Sequence, residues 1–181
     1  MRLDQLQCRL LYAMIVAGKS AEFANEAFQK FIAGCPARRT PFNWIASLND
    51  RELLKRLKQA KTGNYGKLVR GYRELVNARL DLRRCGVDEL ERIHGIGPKT
   101  SRFWILWTRP GARHAALDVH VLRWLKQQGY DAPKATPASS KTYAYLEEAF
   151  IKEAESRGLT PRALDYQIWK AGSSSKNRIE R

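Results

Sequence analysis

Leu90-Glu91-Arg92-Ile93-His94-Gly95-Ile96-Gly97-Pro98-Lys99-Thr100 lies between two stretches of helical spacing, Asp88 to Ile93 and Pro98 to Trp107. Two glycines around one apolar residue let the backbone turn sharply and approach another backbone closely. Pro98 stands at the first position of the second helix, where its missing N–H is not needed. Such a turn aims free amides from a helix N-terminus, a ready seat for an anion such as phosphate. On this reading His94, Gly95, Ile96, Gly97 and Thr100 touch a nucleic-acid backbone, and contacts of that kind fix position without reading sequence. The plainer alternative is a glycine-rich turn that only joins two packed helices.

Outward from this helix-hairpin-helix (88–108), helical period continues in both directions. Leu3, Leu6, Leu10, Leu11, Met14 and Ile15 form a stripe at spacings of three and four, and Phe23, Ala27, Phe28, Phe31 and Ile32 repeat it. Asn49 or Asp50 can cap a helix through Leu57, and Lys67 to Leu80 predicts the next. Val119 to Gln127, Lys141 to Arg157 and Pro161 to Trp169 complete the pattern, with Ser140 as a cap. No segment alternates with period two, so an all-α fold is expected. The tail from residue 171 to 181, rich in Ser and basic residues, reads as flexible.

Lys and Arg number 33 against 18 Asp and Glu, a formal charge of +15. An excess of that size points to an anionic partner, and nucleic acid is favoured because each neutralised phosphate releases condensed counterions. No run of about 18 apolar residues and no signal pattern is present, so an intracellular, DNA-associated protein without membrane contact is expected. Three cysteines and three histidines at wide spacing support neither a disulfide framework nor a metal or iron–sulfur site, so no metal or cofactor is expected.

Downstream, Ala116-Leu117-Asp118-Val119-His120-Val121-Leu122-Arg123-Trp124 places a carboxylate where it can cap the first turn of a helix. Taken together, the Gly-Ile-Gly-Pro-Lys hairpin and Asp-Val-His at this distance resemble the helix-hairpin-helix superfamily of DNA glycosylases. Ile15 to Glu22, Asn64 to Arg79 and Leu164-Asp165-Tyr166-Gln167-Ile168-Trp169 resemble, in turn, segments of its small archaeal-type 8-oxoguanine DNA glycosylases. The resemblance runs from roughly residue 10 to 170 and implies one catalytic domain, 1–170, in two helical lobes with the active site in the cleft between them. It implies that Lys99 is the nucleophile and Asp118 its essential partner. His94 replaces the proline common before the first hairpin glycine, Gly18-Lys19 replaces the family's usual pair, and the chain runs on past the position of the family's terminal lysine.

The chemistry that follows is attack by a neutral lysine amine on the sugar C1′ to give a Schiff base, then strand cleavage by β-elimination. A lysine so used needs its amine deprotonated, by burial or by a neighbouring cation such as Arg102. The base must leave the stack to be reached. Trp169, Trp44, Phe103 and Trp104 are candidates to stack on it, Trp169 first, with core packing the competing reading for each and the favoured one for Phe103 and Trp104. Trp169, Asp165 and Lys19 form the candidate base pocket. The expected activity is a bifunctional glycosylase/lyase acting as a monomer on duplex DNA carrying an oxidised base, 8-oxoguanine first. An oxidised-pyrimidine glycosylase, a base-modifying enzyme on the same scaffold and a non-catalytic DNA-binding module are the alternatives.

Overall fold

The computed structural model describes residues 1–176. Their regular structure is helical throughout, in ten segments: α1 (Leu3–Val16), α2 (Ala21–Ile32), α3 (Pro41–Ser47), α4 (Asp50–Gln59), α5 (Tyr65–Asn77), α6 (Val87–Glu91), α7 (Pro98–Thr108), α8 (Val119–Gln127), α9 (Ser140–Ser156) and α10 (Pro161–Lys176). The chain divides into two units, one ending at Trp104 and one starting at Ile105, so the division falls inside α7.

In the first unit α1 packs on α2, α3 and α5, and α4 on α2 and α5. The stripe read along α1 is the inner face except at Leu3, which is exposed: Leu10, Leu11 and Ile15 are fully buried with Phe31, Ile45, Leu57 and Tyr72. Helix ends follow their caps. Ser20 Oγ accepts the Phe23 amide at 3.3 Å, and Asn49 and Glu52 cap one another across the first turn of α4 at 2.9 and 2.8 Å. Helix α3 is absent from the periodicity because seven residues are too few to show one. Its start, Thr40 capping the Asn43 amide and Pro41 in the first turn, is nevertheless written in the sequence.

Two aromatic candidates for base stacking belong to this core. Trp44 is 2% exposed beside Phe31, and Trp104 is 1% exposed with its indole N–H donating to the Leu6 carbonyl at 3.1 Å. Neither presents a face to a ligand.

In the second unit α10 packs on α8 and α9 around Leu122, Leu125, Tyr143, Leu146, Phe150 and Leu164. Ser139, one residue before the expected cap, accepts the Thr142 amide and starts α9. Helix α10 runs on to Lys176, seven residues past Trp169, so the first half of the expected tail is helical. Residues 177–181 of that tail lie outside the described residues. No helix of the described residues is long and apolar enough to cross a membrane.

Candidate active site

Helix α6 ends at Glu91, and the chain reverses through Gly95 at φ +89°, a conformation that a side chain would strain. Ile93 and Ile96 are buried and anchor the turn from below. Its amides divide cleanly. Ile96 N–H donates to the Ile93 carbonyl at 3.0 Å and Thr100 N–H to the Gly97 carbonyl at 2.9 Å. The amides of Gly95, Gly97 and Lys99 have no partner among the described residues. Of the five positions expected to touch a phosphate, then, Gly95 and Gly97 carry free amides. Ile96 and Thr100 use theirs inside the turn, and His94 donates to Glu74 on α5 at 2.6 Å.

Lys99 sits in the first turn of α7, half-buried, with its ammonium 4.9 Å from the centre of the Phe103 ring. Phe103 is thus a neighbour of the candidate nucleophile. The cation expected to act on Lys99 is engaged elsewhere: Arg102 Nη1 lies 2.7 Å from Glu91 Oε1. The same carboxylate oxygen accepts Ser101 Oγ–H at 2.7 Å, so Glu91 ties the end of α6 to α7 behind the hairpin.

Lys19 lies in the same unit. Its ammonium donates to the Ile15 carbonyl at 2.8 Å and its chain packs over Gly63, just before α5. Burial, and then the nearby Lys67 ammonium, push Lys19 below the usual lysine value. The Lys67 side chain runs alongside Gly95, so that a methyl placed on that glycine would meet Lys67 Cε at 3.0 Å.

Asp118 belongs to the second unit and caps α8. One oxygen, Oδ1, accepts the His120 and Val121 amides at 2.9 and 3.0 Å. The other makes no hydrogen bond among the described residues. Capping α8 therefore engages one oxygen of the carboxylate only. The extended lead-in, Ala115 to Leu117, has no strand beside it among the described residues, and side chains of α9, with Thr136 before it, satisfy its backbone instead. Tyr143 Oη donates to the Ala115 carbonyl at 2.8 Å and accepts the Leu117 amide at 3.2 Å. Glu147 Oε1 accepts the Ala115 amide at 2.9 Å, and Thr136 Oγ1 donates to the Leu117 carbonyl at 2.8 Å. Tyr143 and Glu147 carry no signal in the sequence beyond their helical spacing, and reading it did not find them.

On α10, Trp169 is 41% exposed and stacks on Tyr166 at 6.3 Å, while Tyr166 meets Trp107 edge-on at 6.0 Å. Asp165 is buried, and its Oδ2 accepts the Trp107 indole N–H at 3.1 Å. Arg162 covers the Trp107 ring at 4.8 Å. Tyr166 and Trp169 are the exposed aromatics of this set, whereas Asp165 holds Trp107.

No family model matches the chain. Solved structures similar to it include the following three. The 8-oxoguanine DNA glycosylase of Thermotoga maritima is 28% identical, with a TM-score of 0.69 over 92% of this chain and 78% of that one. The 8-oxoguanine DNA glycosylase of Methanocaldococcus jannaschii is 19% identical, with a TM-score of 0.71 over 94% and 79%. The same organism's 8-oxoguanine glycosylase/lyase in complex with a 15-mer DNA containing 8-oxoguanine is 21% identical, with a TM-score of 0.71 over 94% and 82%. The resemblance read from the hairpin and Asp118 thus extends over more than nine-tenths of the sequence, and the chain has the helical fold of these bacterial and archaeal 8-oxoguanine DNA glycosylases.

Proposed function

We propose that this protein is a DNA glycosylase and abasic-site lyase that removes an oxidised base, 8-oxoguanine first, from duplex DNA. The observation that carries the reading is Lys99: a half-buried lysine in the first turn of α7, next to a hairpin whose Gly95, Gly97 and Lys99 amides are free. A phosphate seated on those amides would hold one nucleotide beside the amine. The 28% identical Thermotoga maritima glycosylase supports the choice of lesion.

In the proposed reaction the neutral Lys99 amine attacks C1′. The C1′–N bond breaks, and the base departs with its electron pair and receives the amine's proton by way of Asp118. Asp118, through the oxygen not engaged in capping α8, stabilises the positive charge that develops on the sugar and takes the proton lost by the amine. Ring opening gives an imine between Lys99 and C1′. Water then takes a C2′ proton, the electrons of that bond expel the 3′ phosphate, and hydrolysis of the imine releases the lysine. Residues 1–170 act as one catalytic domain and as a single copy on DNA. Trp169 stacks on the extruded base, with Lys19 and Asp165 nearer to supporting roles.

Borohydride reduction during reaction with an 8-oxoguanine duplex tests this. The wild type becomes covalently attached to DNA, and Lys99→Gln does not. Trapping by Lys99→Gln would reassign the nucleophile. A panel of lesion duplexes tests the base, and cleavage of thymine glycol alone would move the substrate to oxidised pyrimidines.

A further inference from the structure

The N–H and the carbonyl of His94 both meet α5. Its N–H donates to Glu74 Oε2 at 2.6 Å, a short hydrogen bond to a carboxylate. Its carbonyl lies against Gly71, one turn earlier on α5, where a methyl would stand 2.3 Å from the oxygen. A glycine inside a helix is unfavourable by itself, and here it lets another backbone come to contact distance. Glu74 is fixed in turn: its other oxygen accepts Arg70 Nε–H at 2.9 Å. The two bonds, Arg70 first and the His94 amide second, hold its carboxyl below the usual range. The residue so gripped directly precedes Gly95, the turning point of the hairpin, and stands five positions before Lys99. The grip also needs this particular sequence, because a proline at position 94 would have no N–H to donate.

We propose that Glu74 is a positioning residue for Lys99, and that through the His94 amide it sets the hairpin against α5 at the height the amine needs for attack. This rests on the reading of Lys99 as nucleophile. Glu74 touches neither substrate nor amine; it acts through the backbone that carries both the phosphate seat and the first turn of α7. Small displacements matter in such an arrangement, since about 1 Å of misplacement can cost on the order of a hundredfold in rate.

The test compares wild type, Glu74→Ala, Glu74→Gln, His94→Pro and the double variant Glu74→Ala/His94→Pro. Each is assayed for single-turnover borohydride trapping at saturating 8-oxoguanine duplex and for affinity to an uncleavable abasic-analogue duplex. Thermal melts set an assay temperature at which every variant is folded. Glu74→Ala is expected to slow trapping by about tenfold or more while affinity changes by less than about threefold. Glu74→Gln keeps an acceptor oxygen and restores most of the rate. His94→Pro removes the donor and reproduces the Glu74→Ala loss, and the double variant is no slower than either single one, as expected for one shared interaction. Three results would overturn the proposal: trapping by Glu74→Ala at the wild-type rate, equal loss in the Ala and Gln variants, or additive losses in the double variant. Failure of the wild type to trap, with lesion-independent DNA binding, would instead overturn the nucleophile reading on which the proposal stands.

Discussion

Asp118 caps α8 and, in the proposed reaction, takes the proton of the amine, two jobs that substitution can separate. Asparagine caps helices as well as aspartate does, so Asp118→Asn keeps the bonds to His120 and Val121 and loses the charge. Its melting temperature is expected to stay close to wild type while the trapping rate falls by about a hundredfold, in the range of a lost general base. Asp118→Ala loses both, with about 1 kcal/mol of stability gone in addition. Equal rates for Asn and wild type would reduce Asp118 to a cap. Lys19 makes the opposite case, a charge the fold tolerates at a cost. Its folded value is lowered, so the folded chain holds that proton less tightly than the unfolded chain. Stability therefore rises with pH on the alkaline side, from the lowered value up to the ordinary 10.5. Lys19→Met is expected to melt slightly higher than wild type at pH 7, with the difference closing as pH approaches 10.5. Melts across pH 7 to 10.5 would sink this if the difference grew with pH.

At the scale of elements, the segment before Asp118 depends on α9 as the hairpin depends on α5. Tyr143→Phe removes one hydroxyl and leaves both the Ala115 carbonyl and the Leu117 amide without that partner, in a buried place. A loss of about 1–3 kcal/mol is expected in denaturant melts, from unsatisfied buried groups. Trapping should slow more than DNA affinity falls, since the lead-in sets where Asp118 stands. The helices themselves were legible. Stripes at spacings of three and four marked α1, α2, α5 and α8, because a half-buried helix must write its inner face into the sequence. The short α3 wrote only its start. The end of α10 was misread because Gly172 and three serines look like a breaker, whereas a helix already docked along α8 and α9 carries poor helix formers with it. The hairpin was readable from local turn chemistry. What holds it was not, because the Gly71 and Glu74 contacts to His94 join residues about twenty apart, and a single sequence does not show which distant pairs meet. For the same reason Trp44 and Trp104 could not be told from Trp169 by residue type alone.

At the scale of the whole molecule, the count of 33 Lys and Arg overstates the cations available to DNA. Arg73 pairs with Asp50 and donates to the Ile45 and Leu48 carbonyls, closing the end of α3. Arg102 is held by Glu91, Arg113 by Glu155, and Arg157 by Glu153 and Gln128. These arginines secure the fold, and moving them to phosphate would break bonds already made. Lys67 differs. It is exposed, lies along Gly95 of the hairpin, and has no carboxylate partner among the described residues. Each phosphate neutralised contributes about 0.9 to the slope of log affinity against log salt. Binding of an undamaged duplex across a salt series should therefore lose about one unit of slope in Lys67→Gln. Arg157→Gln should leave the slope unchanged, although it removes a positive charge of the same size. Equal slope changes in the two variants would mean that net charge, rather than the placement of particular cations around the hairpin, governs how this protein holds DNA.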